Sequence, residues 1–235
     1  MNTVTFPPLM QGEAVPAGMD AFAKACIQAR LGCDAGTVFY DLGANSMDAA
    51  IVFTPDVTLA EAVTMMPLCA IGLQNAIGAL GPPEVAVHLG WDGAIRINGA
   101  RCGHIHMAAS DLGATDVPNW LVIGWHLSLW PDSEETGLTP DQTALYAEGC
   151  ADIAANTLLE SWARHTLSQI NRWETEGSGP LHKDWRGLAH GMGEDVIQFG
   201  QTGTFLGVDE HFGMLMRDAQ DTHLIPLTRL LREDV

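Results

Sequence analysis

Apolar positions at Met19, Phe22, Ala23, Cys26 and Ile27 recur at helical spacing and predict a helix over residues 19–30, stopped by Gly32. Residues 37–40 and 49–53 are short and rich in strand-forming side chains, with a turn-rich connection at 41–48 between them. Thr58 and Glu61 stand at capping-box spacing and open an Ala/Met/Leu-rich helix that runs to about Leu80. Pro67 must kink that helix or split it, and Pro82 and Pro83 close it. The middle of the chain reads as sheet, with strands at 85–91, 94–97, 100–108 and 120–129. Asn98-Gly99 between two of these is a strong two-residue hairpin signal. Thr139-Pro140-Asp141-Gln142 predicts a helix start, with proline at the first helical position. Residues 151–176 form the longest predicted helix, with Leu159, Trp162, Thr166, Ile170 and Trp173 on one face and Gly177 at its end.

From Asp195 the texture changes to short strands at 196–199, 203–208, 213–217 and 224–227, separated by glycines and acidic turns. Such spacing predicts a small barrel, with a boundary near Gly191-Met192-Gly193. The chain is therefore expected to be an α+β protein, with a main domain over residues 1–190 and a small C-terminal β-barrel over 191–235.

Charge narrows the range of functions. With 11 Lys+Arg against 29 Asp+Glu the net charge is −18, which disfavours binding to phosphate backbones or to anionic membrane surfaces. No basic, apolar leader opens the sequence and no uninterrupted apolar run approaches a membrane span. The five cysteines, Cys26, Cys33, Cys69, Cys102 and Cys150, are odd in number and never paired as CxxC, so buried free thiols and a cytoplasmic location are expected.

Three histidines offer candidate chemistry. His104 and His106 lie two apart on one predicted strand and so share a face, and His126 lies on another strand. Three imidazoles suit a metal with an open position. No acidic or cysteine partner follows from the spacing, which favours pocket-lining histidines and no metal site. The acidic turns at 132–135 and 218–221 read as solvated loops, the first with weak Ca²⁺-binding potential, and the Met65-Met66 pair and the Trp162/Trp173 stripe read as core.

Taken in order, several segments resemble the biotin–protein ligase and lipoate–protein ligase family. Phe6-Pro7-Pro8-Leu9 followed by a helix and Gly36-Thr37-Val38 is similar to the family's start. Trp91 through Asn98-Gly99-Ala100-Arg101 is similar to its KWPND…NG hairpin, and Gly124-Trp125-His126 sits where the family has a glycine-rich strand. Thr143-Ala144-Leu145 before the long helix and a small terminal β unit complete the order. The resemblance covers nearly the whole chain through moderately specific motifs. It implies a mixed sheet of the class II aminoacyl-tRNA-synthetase/biotin-ligase type with helices, followed by an SH3-like barrel. It also implies a small carboxylate ligand such as biotin or lipoate, and a biotinyl or lipoyl carrier domain as partner.

The family's chemistry is acyl adenylation, in which an arginine/glycine loop wraps the phosphates and a lysine bridges carboxylate and phosphate. Here the loop position holds only the 41–48 segment, with Asp41 and Asp48 and no arginine, and the lysine position falls on Arg101. Of KWPND only Trp91 is kept. These departures make ATP a doubtful cofactor and usual ligation unexpected. The resemblance assigns Arg101 the catalytic position and Trp91, Gly103, His104, His106, Trp125 and His126 the ligand-binding ones, with Trp125 and His126 at the slot for the acyl chain. The alternatives are a non-catalytic protein that docks the carrier domain, and an ATP-independent acyltransferase, for which Cys150 is the candidate thiol.

Overall fold

The computed structural model describes residues 4–110, 113–131 and 139–232. Its main sheet has seven strands in the order β1-β2-β3-β7-β6-β5-β4. These are β1 (Gln11–Ala14), β2 (Thr37–Leu42), β3 (Ser46–Phe53), β4 (Val87–Leu89), β5 (Ala94–Ile97), β6 (Ala100–Ala109) and β7 (Leu121–Ser128). Only β1 and β2 are parallel; the other neighbours are antiparallel. Asn98 (φ 51°) and Gly99 (φ 94°) make the expected tight turn between β5 and β6.

One face of this sheet carries the main core. Ile51, Ile105, Met107, Ile123, Trp125 and Leu127 meet α3 (Met65–Leu80) and α4 (Ala155–Glu176) there. The helices approach closely because Gly72 leaves room: a Cβ on it would lie 2.4 Å from Thr166 Oγ1. The Trp162 indole N–H donates to Cys69 O at 3.2 Å. The short α2 (Leu59–Ala62) and α3 together form an apolar stretch of 22 residues that is long enough to cross a membrane, yet most of it is buried inside the fold. Glu61, Thr64, Gln74 and Asn75 interrupt it, so it is no uninterrupted apolar run. The split anticipated at Pro67 falls at Val63 and Thr64, which leaves Pro67 in the first turn of α3, where a missing N–H costs nothing.

The other face is covered in part by α1 (Ala21–Arg30). Asp20 caps this helix, accepting from Phe22 N and Ala23 N. The helix buries Ala21, Phe22, Ala25, Cys26 and Ala29, and leaves Ile27 and Met19 exposed. The buried stripe is thus rotated from the expected one, because the small alanines admit the close approach to the sheet.

Other expectations need correcting. The 41–48 segment is mostly strand: β2 runs on to Leu42 and β3 begins at Ser46, so the connection is only Gly43, Ala44 and Asn45. Residues 139–142 are not a helix start. Arg101 N donates to Asp141 O (2.8 Å) and Thr143 N to Arg101 O (2.9 Å), so this segment lies along the start of β6. The long helix begins at Ala155, after a wide turn over Tyr146–Cys150 in which Gly149 has φ 88°. A further helix, α5 (Ser178–Leu188), follows Gly177 directly. Glycines and Pro180 disguised it, but proline is tolerated in a first helical turn and Leu181 and Trp185 form its buried stripe.

The C-terminal strands β8 (Asp195–Gln198), β9 (Gln201–Val208), β10 (Met214–Arg217) and β11 (Thr222–Ile225) form an antiparallel sheet, a small barrel-like unit. It packs on the main body through Trp91, whose indole N–H donates to Phe212 O at 2.7 Å, and through Trp185 against Phe205 and Phe212. The acidic turn at 218–221 is built by Asp218 accepting from Gln220 N and Asp221 N. The acidic stretch at 132–135 lies outside the described residues.

Candidate ligand-binding site

Strand register brings the histidines together. Asp41, Asp48, His126 and His104 stand in one row across β2, β3, β7 and β6, and Phe39, Ala50, Gly124 and His106 form the next. Residues two apart share a face, so all three imidazoles project from the α1 side. The ring centroids of His104 lie 5.0 Å from His106 and 5.5 Å from His126. Asp48 and His126 are 2.9 Å apart, Oδ1 to Nδ1. Gly124 is required in the second row: a Cβ there would lie 2.5 Å from Phe22 and 3.1 Å from His106 Nε2. Its absence lets Phe22 meet the His106 ring edge-on at 4.1 Å.

Burial disfavours charge on these rings. It pushes His106 down to about 3, helped by the positive charge of Arg232 nearby. Burial, with His126 second, also lowers His104. Both ring nitrogens of His106 are buried without a hydrogen-bond partner. No group of three or more His, Cys, Asp or Glu side chains among the described residues is arranged to hold a metal ion.

Two hollows meet at His104 and His126. The larger, about 640 Å³, is lined among others by Arg101, Cys102, Gly103, Ser128, Thr143 and Glu148. Its size is that of a small-molecule site. The smaller, about 150 Å³, is lined among others by Asp20, Phe22, Asp48, His106 and Arg232. Together they form a trough along β6. Arg101 stands opposite Arg96 across the β5–β6 pair, and its guanidinium donates to Asp92 at 2.8 Å, which offsets that like-charge neighbour. One of its five donors is thereby used, and the side chain remains half-exposed. At the rim Asn98 and Thr143 both donate to the Glu148 carboxylate.

Of the residues singled out from sequence, Arg101, Gly103, His104 and His126 line the larger hollow, and His106 lines the smaller. Trp91 does not join them: it is buried beneath the C-terminal unit and bonded to Phe212 O. Trp125 borders the smaller hollow, but alternation sends its ring to the helix side, where it packs edge-on to Trp162 at 5.3 Å. Gly103 serves the strand pairing itself, since a Cβ would lie 2.1 Å from His126 O. Cys150 is buried and burial pushes its thiol up; burial also pushes the Cys102 thiol up, to about 12. Neither has the character of a nucleophile. Sequence reasoning missed Glu148 and Arg232, which come from segments whose return to the sheet left no local pattern. It also missed the pairing of Asp48 with His126, which depends on β3 reaching back to Ser46.

The hairpin between β2 and β3 bears directly on nucleotide binding. Its three residues are pinned by Asn45 O, which accepts from Leu129 N (2.7 Å) and Trp130 N (3.1 Å). The turn is short and fixed, and none of its three residues is basic.

The sequence model of the biotin/lipoate A/B protein ligase family matches residues 6–187, and that of a domain of unknown function (DUF4444) matches residues 192–233. A crystal structure of a biotin protein ligase-like protein of unknown function from Silicibacter sp. TM1040 is 59% identical, with a TM-score of 0.93, covering 98% of this chain and 100% of that one. Biotin protein ligase from Aquifex aeolicus in complex with biotin and ATP is 12% identical, with a TM-score of 0.71, covering 92% and 94%. The enzyme from Leishmania major in complex with biotinyl-5-AMP is 13% identical, with a TM-score of 0.53, covering 93% and 99%. No curated protein matches.

Proposed function

The chain belongs to the biotin/lipoate A/B protein ligase family, and on that premise we propose that it holds a small carboxylate such as biotin, lipoate or a related acyl group, without the usual ATP-dependent ligation. The observation that carries this reading is the open trough on the α1 side of the sheet, with Arg101 at one end and imidazoles along its floor. A carboxylate head takes the free donors of the Arg101 guanidinium, which suits a planar oxyanion by its fork of N–H groups. The acyl body extends over Gly103 and Ser128 toward His104 and His126. The three-residue β2–β3 turn supports the loss of ATP use, because adenylation needs the α-phosphate held against the carboxylate.

Thermal denaturation with biotin, lipoate, octanoate and ATP tests both halves. A ligand at about 100 times its Kd stabilises by about 2.7 kcal/mol, a rise of roughly 5–11 °C for a chain of this size. At least one carboxylate is expected to produce such a rise, and ATP none. Stabilisation by ATP alone would overturn the reading. If all four leave the transition unmoved while an immobilised biotinyl or lipoyl carrier domain retains the protein, the docking alternative replaces it.

A further inference from the structure

The end of the trough remote from Arg101 is closed by a residue outside the segment that matches the ligase family. After β11 and the turn Leu227–Leu230 the chain returns to the main sheet, where Leu231 bridges to Met107 and Arg232 N donates to Met107 O at 2.9 Å. This pairing uses the stretch of β6 beyond its contact with β5, and it places the Arg232 guanidinium 5.7 Å over the Phe22 ring, at the wall of the smaller hollow. The two carboxylates of that hollow are already engaged: Asp20 caps α1, and Asp48 bonds His126. Among the described residues no carboxylate lies within ion-pair distance of Arg232. Facing it is His106, half-buried, with both ring nitrogens buried and neither bonded. A guanidinium with no carboxylate partner among the described residues and an imidazole with two buried, unbonded ring nitrogens therefore share one polar hollow with room for several waters.

We propose that Arg232 and His106 form a second oxyanion subsite, which takes a carboxylate or phosphate group at the end of the trough remote from Arg101. The guanidinium offers paired N–H donors and the charge, and the imidazole donates one further hydrogen bond. The bulge where β5 and β6 shift register turns Arg101 to the same side as His106, and at about 3.3 Å per residue along β6 it leaves the two anion sites about 13–16 Å apart along the strand. The full ligand then carries an oxyanion at each end of an extended body. That last statement rests on the carboxylate reading of the Arg101 cleft; the subsite itself does not.

The experiment follows the histidine side-chain ¹H–¹⁵N resonances of the full chain during titration with inorganic phosphate, and separately with acetate, at constant ionic strength. Wild-type protein is expected to show saturable shifts at His106 and His104. Arg232→Gln should weaken that binding at least tenfold, while Arg229→Gln, which removes a nearby cation that stacks on Phe199, should leave it unchanged. An unchanged melting temperature of Arg232→Gln verifies that its fold is intact, since the backbone bond to Met107 remains possible. The tighter of the two probes identifies the subsite as phosphoryl- or carboxylate-preferring. Shifts that do not saturate, or that persist at full affinity in Arg232→Gln, overturn the proposal. Octanoate titrated into Arg101→Ala and into Arg232→Gln separates the two sites: weakening only in Arg101→Ala reports on the Arg101 cleft, and weakening only in Arg232→Gln reports on the subsite.

Discussion

Gly103→Ala is expected to destabilise the protein by about 3 kcal/mol or more, lowering the melting temperature by roughly 6–12 °C. The added methyl would sit 2.1 Å from His126 O and 3.1 Å from the Leu127 Cα, and both are backbone atoms of the adjacent central strand. A flexible side chain could swing aside; a strand paired on both edges, to β3 and β6, cannot move without breaking its own ladder. Since His126 carries the affected oxygen, ligand affinity should fall along with stability. Gly187→Ala is the control: nothing lies within 4 Å of the added atom and the residue is helical, so little change or a gain of a few tenths of a kcal/mol is expected. Calorimetric scans of the two variants beside wild type give the comparison, and equal melting temperatures would refute the tight β6–β7 approach.

The second large effect concerns pH. His106 has its pKa depressed to about 3 in the folded protein, mainly by burial, against an ordinary value of 6.5 in the unfolded chain. A depressed pKa means that the unfolded state binds the proton first as the medium is acidified. Stability from this group is therefore present above pH 6.5 and lost progressively as pH falls from there toward 3. Between pH 7.5 and 5 the loss amounts to about 2 kcal/mol. His106→Leu removes the titration and leaves no orphaned ring nitrogen beside Phe22. Urea unfolding at the two pH values should show wild type losing about 2 kcal/mol more than the variant. Parallel pH dependences would contradict a buried, neutral His106.

Several elements of this fold were legible because their signals are local. The Asn98-Gly99 turn needs two positive φ values and has the residues that tolerate them. The α4 stripe of Leu159, Trp162 and Thr166 repeats at helical spacing and is fully buried. The His104/His106 pair shares a face by strand alternation alone. What stayed hidden depends on distant pairing. The 41–48 segment looked like a loop because its acids and glycine are poor strand formers, yet β7 provides a partner for every residue from Ser46 to Phe53. Likewise the 139–142 segment carries helix-start residues, but backbone bonds to Arg101 hold it extended.

The candidate site divides along the same line. Residue types and the family resemblance pointed to Arg101, Gly103, His104, His106 and His126, and the sheet gathers these along one trough. Trp91 lies apart from them, because a motif position says nothing of the unit that later packs over it. Its indole serves the joint with the C-terminal sheet instead. Trp125 was expected near the ligand, and its ring lies on the opposite side of its strand. Arg232 could not have been found from sequence, since only the return of the chain to Met107 brings it to the histidines.

The central claim is that Arg101 anchors a carboxylate in a trough that has lost its nucleotide loop. Titration calorimetry of wild type and Arg101→Ala, using the carboxylate that most raises the melting temperature, tests it most directly. Loss of a charge-assisted hydrogen bond of about 1.5–3 kcal/mol predicts affinity weakened roughly 10- to 150-fold in the variant. ATP should neither bind on its own nor alter the carboxylate's affinity in wild type. Equal affinity in the two proteins, or carboxylate binding that tightens when ATP is added, would contradict the account.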